Sequence, residues 1–204
     1  MDWLDQVRIS VPGLEIKVVE RCASTNAVLM ARKSDRPLLL AAEEQTAGRG
    51  RHGRRWRSAR GKGATFSIVR RMRCSPQALV GLSVAVGVAA ACALRSLGAR
   101  GVTLKWPNDL MARRRKLGGI LIETRSSPAG TQVVVGIGIN CYRQPQLRAR
   151  LGRGVAALEE LLRRPVPRNA VIGAVGRAVL AALADWDHAR AGAAPDARLS
   201  ARAA

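Results

Sequence analysis

Aromatic, cysteine and histidine residues are scarce in this 204-residue chain. Only 3% of the residues are aromatic, so the hydrophobic core has to be built mainly from valine, leucine, isoleucine and alanine. No Cys-x-x-Cys pair or histidine pair accompanies the four widely spaced cysteines, which are Cys22, Cys74, Cys92 and Cys141. This spacing argues against a zinc site and a disulfide framework, and it favours reduced, structural cysteines in a cytoplasm. The two histidines are too few to indicate a metal cluster.

Acidic residues are also few: 14 stand against 35 basic residues, which gives a formal net charge of +21. Only five of the basic residues are lysines, so arginine supplies the other thirty. Such a charge attracts partners rich in phosphate or carboxylate, and a basic nucleic-acid-binding module without enzymatic activity is therefore one alternative. The arginines are scattered over the whole chain, however, and neither basic nor aromatic residues gather in one place. We expect no specific nucleic-acid partner.

No uninterrupted long hydrophobic run is present. The segment Cys74–Leu94 carries no charge, but serine, proline, glutamine, glycine and many alanines dilute it, which favours a long buried helix over a membrane span. Met1–Ser10 is mixed and charged, unlike a secretory signal peptide. With 48% hydrophobic residues and a length typical of one domain, the chain is expected to be a folded cytoplasmic protein without a membrane anchor.

Strand and helix patterns that do not alternate strictly predict an α+β fold, in which helices cover one face of a mixed β-sheet. Short apolar runs predict the strands, and helical spacing of apolar residues predicts the helices. The predicted strands are two within Val7–Glu20 around a Pro12-Gly13 turn, then Pro37–Glu44, Thr65–Val69, Val102–Trp106, Leu117–Thr124 and Gln132–Ile139. The predicted helices are Ser24 or Thr25 to Lys33, Pro76–Leu97 with Gly98 as a left-handed cap, Val155–Arg163 and Asn169–Trp186.

The segment Thr46–Lys62 has no apolar period and is predicted to be a loop. It contains Gly48-Arg49-Gly50-Arg51-His52-Gly53, which matches the three-glycine pattern of dinucleotide-binding sites. Such a site also needs the glycines to open a helix, with an acidic residue about 20 positions later. Here arginines and Trp56 follow without a helical period, so we reject a nicotinamide site. The sequence instead predicts a flexible loop whose closely spaced cations fold over a phosphate-bearing ligand.

A second motif, Lys105-Trp106-Pro107-Asn108-Asp109, stands at the predicted end of a strand, where its last two residues turn the chain. Lys116 begins the next strand, and Gly118 and Gly119 follow it. A glycine pair removes two side chains and would let a flat ligand lie against the backbone. A hairpin with a basic surface tip is the alternative interpretation of this segment.

Five segments together resemble the biotin–protein ligase family, in the family's order and at near-family spacing. They cover most of Cys22–Asn140, and the predicted Pro76–Leu97 helix fits as well. The segments are Ser24-Thr25-Asn26, Glu44-Gln45-Thr46-Ala47-Gly48-Arg49-Gly50-Arg51-His52-Gly53-Arg54-Arg55-Trp56, Lys105-Trp106-Pro107-Asn108-Asp109, Lys116-Leu117-Gly118-Gly119-Ile120-Leu121-Ile122-Glu123 and Gly136-Ile137-Gly138-Ile139-Asn140. The resemblance implies a ligase-like (class II synthetase-like) catalytic domain that forms biotinyl-5'-AMP from biotin and ATP with Mg²⁺. The biotinyl group would then pass to a lysine of a biotin carboxyl carrier protein domain.

The resemblance also implies a role for each matching residue. The expected biotin-binding residues are Ser24, Thr25, Asn26, Gln45, Arg49, Gly50, Arg51, Lys116, Gly118 and Gly119. The expected ATP-binding residues are Arg51, Trp56, Asn108, Asp109, Lys116 and Asn140, and the expected catalytic residues are Lys116, Arg51 and Asp109. Some of these positions have plainer interpretations: Ser24 could serve only as a helix cap, and His52 and Arg54 could be solvated loop residues. Trp106 is expected in the core rather than at the ligand.

The expected domain organisation is a catalytic domain over residues 1–190 and a frayed tail over 191–204. The family-like segments begin at Ser24, so we expect no N-terminal helix-turn-helix domain, and the C-terminal β-barrel domain of some family members is expected to be absent. The nearest alternative function is a lipoate or octanoate protein ligase or transferase of the same fold. Gln45, the Lys105–Asp109 motif and the arginine–glycine loop favour biotin.

Overall fold

The computed structural model describes residues 3–33, 35–57, 59–145, 154–162 and 167–190. Within them a single seven-stranded sheet has the order β1-β2-β3-β7-β6-β5-β4. Its strands are β1 Glu15–Cys22, β2 Leu38–Gln45, β3 Gly63–Met72, β4 Val102–Lys105, β5 Asp109–Ala112, β6 Arg115–Ser127 and β7 Gly130–Asn140. The helices are α1 Thr25–Met30, α2 Leu82–Ser96 and α3 Arg168–Arg190. Only β1 and β2 pair in parallel, and the other neighbours are antiparallel, so the predicted mixed sheet and α+β class are confirmed.

Alternation along the central strand β7 separates the two faces of the sheet. Val133, Val135, Ile137 and Ile139 enter the main hydrophobic core on one face. The residues between them on the second half of the strand are Gly136, Gly138 and Asn140, which therefore face the other way. One face of β7 is thus suited to packing against helices, and the other lies nearly bare of side chains.

Helices α2 and α3 cover the apolar face. Helix α2 buries Leu82, Val86, Ala90 and Leu94 in the core, and α3 does the same with Val171, Val175, Val179 and Leu183. Both sets repeat every four residues, which places each of them on a single side of its helix. By length and composition alone, Gln77–Ser96 and Arg168–Arg190 could each cross a membrane, but here both lay their apolar side on the sheet.

Helix α1 lies on the opposite face, at one end of the sheet. Leu29 packs there with Leu38, Leu40, Val69 and Val134 in a second, smaller cluster. Helices therefore pack on both faces of the sheet, whereas the sequence pattern predicted that they cover only one face. Because α1 is short, it leaves the rest of this second face open beside it.

A buried ion pair joins β2, α3 and the start of the described chain. The guanidinium of Arg168 donates to both carboxylate oxygens of Glu43, at 2.8 and 3.1 Å, and the two side chains are 1% and 4% exposed. Glu43 also accepts a hydrogen bond from the backbone N–H of Leu4. The pair thus fixes the first turn of α3 and the N-terminal segment onto the sheet.

Several predicted boundaries were wrong. The helix predicted from Pro76 begins at Leu82, because Gly81 has a φ of +90° and separates it from a 3-10 turn at Gln77–Leu79. The helix expected at Val155–Arg163 is reduced to a 3-10 turn at Leu158–Glu160, and Arg163 lies outside the described residues. The first of the two strands expected within Val7–Glu20 is irregular chain, although Ile9 and Val11 are buried.

Other boundary predictions were confirmed or are not covered. The left-handed cap at Gly98 is present, with a φ of +101°. Strand β5 was not predicted, because Asp109 was expected to lie in a turn. Asp109 instead begins the strand. The tail 191–204 lies outside the described residues.

Candidate active site

A cavity of about 360 Å³ occupies the open part of the second sheet face, beside the start of α1. Its walls come from α1, the arginine–glycine loop and the β4–β5 turn, and its floor from β6 and β7. Most of the predicted site residues line it: Ser24, Thr25, Asn26, Gln45, Arg49, Gly50, Arg51, Trp56, Asn108, Asp109, Lys116 and Gly119. The fold therefore brings together predicted site residues from four separate segments of the chain.

Two glycines of β7 form the part of the floor on which other side chains rest. A Cβ atom added to Gly136 would lie 2.1 Å from Oδ1 of Asn26, and one added to Gly138 would lie 2.3 Å from Cε2 of Trp56. Both distances are far shorter than any normal contact between heavy atoms. The alternation of glycine and isoleucine in Gly136–Asn140 is the sequence signal for this floor, but it was not assigned that role.

The structure corrects one half of the glycine pair on β6. Gly119 lines the cavity and pairs with Gly138, whereas Gly118 pairs with Ile139 and points toward the core. A Cβ on Gly118 would meet the backbone oxygen of Gly138 at 2.6 Å and the side chain of Leu110 at 3.4 Å. Because successive residues of a strand face opposite sides, only one member of the pair could serve the pocket.

One end of the cavity is a network of uncharged polar groups centred on Thr25. The carbonyl oxygen of the Gln45 side chain accepts hydrogen bonds from the backbone N–H of Thr25 at 2.7 Å and from its hydroxyl at 3.1 Å. The Thr25 hydroxyl also lies 2.6 Å from the hydroxyl of Ser67. The side-chain oxygen of Gln45 is thereby occupied by hydrogen bonds within the protein, and its amide N–H groups remain available to donate.

Asn26 extends this network toward the loop. Its Oδ1 accepts from the Ser67 hydroxyl at 2.6 Å, and its Nδ2 donates to Glu123 at 2.8 Å. The other oxygen of Glu123 pairs with Arg49 at 2.8 Å, so one carboxylate holds both the pocket asparagine and the first loop arginine. Sequence reasoning assigned no role to Ser67 or Glu123. A serine inside the otherwise apolar Phe66–Val69 run was the available signal for Ser67.

Ser24 serves as a helix cap. Its hydroxyl accepts the backbone N–H of Ala27 at 3.4 Å in the first turn of α1. It lines the cavity as well, so the cap and a pocket role are compatible.

The opposite end of the cavity is strongly cationic. Lys116 Nζ lies 2.5 Å from Oδ1 of Asp109, and Arg51 donates to the side-chain oxygen of Asn108 at 3.3 Å. The amide nitrogen of Asn108 in turn donates to the backbone oxygen of Ile120 at 2.9 Å, which fixes its orientation. Over the whole lining of the cavity in the described residues, Asp109 is the only acid, against four arginines and two lysines. The cavity as a whole therefore attracts anions.

Two buried polar atoms beside the floor have no hydrogen-bond partner in the described part of the chain: Nε1 of Trp56 and Oδ1 of Asn140. Asn140 is 3% exposed and lies beyond the cavity lining, on the same face of β7 as Gly138, which supports Trp56. A donor and an acceptor left unpaired beside a cavity indicate a place where a polar ligand completes the bonding.

Trp106 was expected in the core but is 78% exposed. It lines the cavity from the turn between β4 and β5, next to Lys105. The motif places this indole in solvent because β4 has ended at Lys105 and the chain turns outward there.

The cysteines and acidic groups of the described residues do not form a metal centre. None of the four cysteines is in a disulfide there, and burial raises the pKa of Cys22 and Cys74, which keeps both protonated. Across the residues that the structure covers, no three His, Cys, Asp or Glu side chains are grouped to hold a metal ion.

Comparison with known proteins agrees with this geometry. Residues 18–140 match the sequence model of the Biotin/lipoate A/B protein ligase family. The bifunctional ligase/repressor BirA of Escherichia coli is 37% identical over 158 residues, which are 76% of this chain and 49% of that protein. The biotin–[acetyl-CoA-carboxylase] ligase of Mycobacterium tuberculosis is 36% identical over 90% of this chain and 70% of its own length.

A solved structure gives the same result. The biotin protein ligase of Aquifex aeolicus, in complex with biotin and ATP, superposes with a TM-score of 0.72 at 27% identity and covers 88% of this chain and 74% of that one. The chain thus spans about half the length of the E. coli relative and nearly three quarters of the A. aeolicus structure. From the family match, these relatives and the shared fold, the chain belongs to the biotin/lipoate A/B protein ligase family.

Proposed function

We propose that this protein activates biotin with ATP to form biotinyl-5'-AMP and then transfers the biotinyl group to a lysine of a carrier protein domain. The observation that carries the proposal is the division of one cavity into an uncharged, hydrogen-bonding end and a cationic end. Relatives named as biotin ligases, and a similar structure that holds biotin and ATP, support this choice of substrates.

The uncharged end suits the ureido ring of biotin, which has both N–H donors and a carbonyl acceptor. Gln45 has amide N–H groups to donate, while the hydroxyl of Thr25, which lines the cavity, can accept. Lipoate and octanoate lack such a ring and would leave these groups unpaired when they bound. Since an unpaired buried polar group costs about 1–3 kcal/mol, the network discriminates against both alternative substrates.

The cationic end suits the reaction itself. The biotin carboxylate has to attack the α-phosphate of ATP, and both groups are anions. Lys116 and Arg51 would offset that repulsion and stabilise the charge that builds up at phosphorus and on the departing pyrophosphate. Arg49 and Gly50 would close the loop over the biotin carboxyl group, and the indole of Trp56 would cover the adenine, with Asn140 at its edge.

Asp109 is the residue that fits a bound Mg²⁺, because this ion is commonly held by one or two carboxylates together with substrate phosphates. The ion would supply charge neutralisation at the phosphates. In the second half-reaction an uncharged lysine amine attacks the mixed anhydride and AMP leaves. Asp109, the only acid among the described residues that line the cavity, would then accept the amine proton once Lys116 has turned toward the phosphate.

A biotin carboxyl carrier domain is the proposed acceptor, in a cytoplasmic setting and without a specific nucleic-acid or membrane partner. The relatives' names and the reduced cysteines support this assignment. The wide scatter of arginines gives no reading surface for nucleic acid.

The test is incubation of the protein with ATP, Mg²⁺, biotin and a biotin carboxyl carrier domain, followed by mass measurement of the carrier. We expect one biotinyl group per carrier, and none on a carrier whose acceptor lysine is arginine. Pyrophosphate exchange into ATP, driven separately by biotin, lipoate and octanoate, identifies the acid that is activated. Exchange with lipoate or octanoate but not with biotin would overturn the substrate assignment.

A further inference from the structure

The backbone of Lys116 is held by a segment outside the cavity. Lys116 donates its N–H to the backbone oxygen of Gly154 at 3.1 Å, and its own carbonyl accepts the N–H of Ala156 at 2.9 Å. Strand β7 pairs with β6 only from Gly118 onward, so residues 154–156 take its place beside Lys116. On the other side Lys116 is paired with Met111 of β5. Both backbone hydrogen bonds of Lys116, from its N–H and to its carbonyl oxygen, are therefore made with this segment.

Arg115 and Glu160 hold that segment in place. The guanidinium of Arg115 donates to the backbone oxygen of Val155 at 3.1 Å and forms an ion pair with Glu160, whose side chain is only 11% exposed. Glu160 also accepts the backbone N–H of Ala157 at 3.1 Å. Arg115, which directly precedes Lys116, is thus tied to Val155 inside the segment and to Glu160 in the turn that follows it.

Gly154 is shaped to this arrangement. A Cβ atom on Gly154 would lie 2.7 Å from Cγ and 3.1 Å from Cδ of Arg115, so the arginine stem lies flat over the glycine. Arg115 and Lys116 are neighbours on one strand, and their side chains leave it on opposite sides. Arg115 can therefore fix the strand without entering the cavity.

We propose that the Arg115–Glu160 pair, seated on Gly154, is a positioning device for Lys116. The inference rests on the proposed function, because it assigns Lys116 to the reacting centre. The pair fixes the backbone end of the lysine, while Asp109 holds its ammonium end at 2.5 Å. A misplacement of about 1 Å at a reacting group can cost on the order of a hundredfold in rate, so a loosened strand start should lower adenylation. The groups at the ring end lie on other elements and should not respond.

The test compares Glu160→Gln with Glu159→Gln as a matched control. Glu159 lies in the same turn, accepts the backbone N–H of Arg143 at 2.6 Å and pairs with the Arg143 side chain, but it does not contact Arg115. In biotin-dependent pyrophosphate exchange, we expect Glu160→Gln to lower kcat about tenfold, which is a modest fraction of the full misplacement penalty. Its KM for biotin should stay within about twofold, and Glu159→Gln should behave as the wild type. Arg115→Lys, which keeps the charge but loses the paired donors, should follow Glu160→Gln.

Hydrogen exchange provides a readout that does not depend on activity. The amides of Lys116 and Ala156 donate across the held strand, so their exchange should accelerate in Glu160→Gln and not in Glu159→Gln. The amide of Thr25, at the other end of the cavity, should be unchanged in both variants. Unchanged exchange at Lys116 and Ala156, or an equal loss of kcat in both variants, would overturn the positioning role. If the wild-type protein lacked biotin-dependent pyrophosphate exchange but the variants showed the expected hydrogen-exchange pattern, the result would count against the proposed function alone.

Discussion

Alanine substitutions at the two floor glycines of β7 should weaken two different ligands. An alanine Cβ at position 138 would lie 2.3 Å from Cε2 of Trp56, whereas carbon atoms in contact prefer about 3.5–4.0 Å. The indole would have to withdraw by about 1.2–1.7 Å to restore that separation. At position 136 the new carbon would displace Asn26 Oδ1, which now bonds to Ser67 at 2.6 Å. The change at position 138 therefore disturbs the indole proposed to cover the adenine. The change at position 136 disturbs the site proposed for the ureido ring of biotin.

The size of each effect follows from overpacking, which costs about 1–3 kcal/mol. If the ligand has to supply that energy, its affinity falls roughly 5- to 150-fold, at tenfold for every 1.4 kcal/mol. Gly136→Ala should therefore weaken biotin by this factor and leave ATP nearly unaffected. Gly138→Ala should show the reverse selectivity.

Gly119→Ala is the control for a methyl group that enters the cavity without a clash, because its Cβ would meet Lys116 and Trp56 at 3.4–3.7 Å, which is ordinary contact. Titration calorimetry with biotin and, separately, with a non-hydrolysable ATP analogue measures both affinities for each variant, and circular dichroism verifies that it is folded. If Gly136→Ala and Gly138→Ala lose both ligands equally, or match Gly119→Ala, the division of the cavity is wrong.

Four further predictions concern other parts of the molecule. Burial alone would raise the pKa of Glu160, but hydrogen bonds from Arg115 and Ala157 and the charges of Arg115 and Arg143 outweigh it and lower that pKa. The carboxylate should therefore stabilise the folded state fully above about pH 4.3, the usual glutamate pKa, and lose that effect as pH falls through its lowered value. Urea unfolding of wild type and Glu160→Gln should thus differ near neutral pH and converge in acid; a constant difference would contradict this. Arg168→Met should leave Glu43 buried and unpaired and lower the free energy of unfolding by about 3–5 kcal/mol, a loss that urea titration would detect or refute. Trp106→Ala should raise the KM for the carrier domain several-fold without changing pyrophosphate exchange, since the indole is 78% exposed at the cavity. The control is Trp3→Ala, which removes a second exposed indole that does not line the cavity, and an equal effect of both changes would argue against carrier contact. Arg51→Gly should keep part of the adenylation activity but release biotinyl-adenylate into solution, because the loop loses its contact with Asn108. The measurement is biotin attached to bystander albumin, with wild type and variant compared at matched activity. If wild type and Arg51→Gly labelled albumin equally, the hypothesis that the arginine–glycine loop closes over the bound adenylate would be wrong.

Much of the sheet could be predicted because its strands follow simple apolar patterns. Val133–Ile139 is a run of valines, isoleucines and glycines, and Leu38–Ala42 is a short apolar run, so both strands were located within a few residues. Strand β5 was missed because it has only four residues and starts with an aspartate that usually indicates a turn. The late start of α2 depends on the left-handed Gly81, which a capping serine and proline upstream concealed.

The candidate site was predicted from motifs, and what the motifs omit was missed. Thr25, Gln45 and Lys116 stand in recognisable segments, and the structure brings them to one cavity. Ser67 lies inside an apolar strand, and its role depends on Thr25 and Asn26, which the fold brings to it from α1. Arg115 is one of several arginines in a basic run, and its partner Glu160 is 45 residues away in sequence. Pairings of this kind depend on tertiary structure, which local pattern does not specify.

The two-sided strand β7 also limits how this protein can change over evolutionary time. Alternate residues of this one strand form the cavity floor and the core, with glycine on the first face and valine or isoleucine on the second. Deleting a single residue ahead of Gly136 would shift the register and exchange the faces, with isoleucine side chains filling the cavity and glycines facing α2 and α3. A single substitution on this strand therefore acts on one face, but a one-residue insertion or deletion would remove the ligand site and the core together.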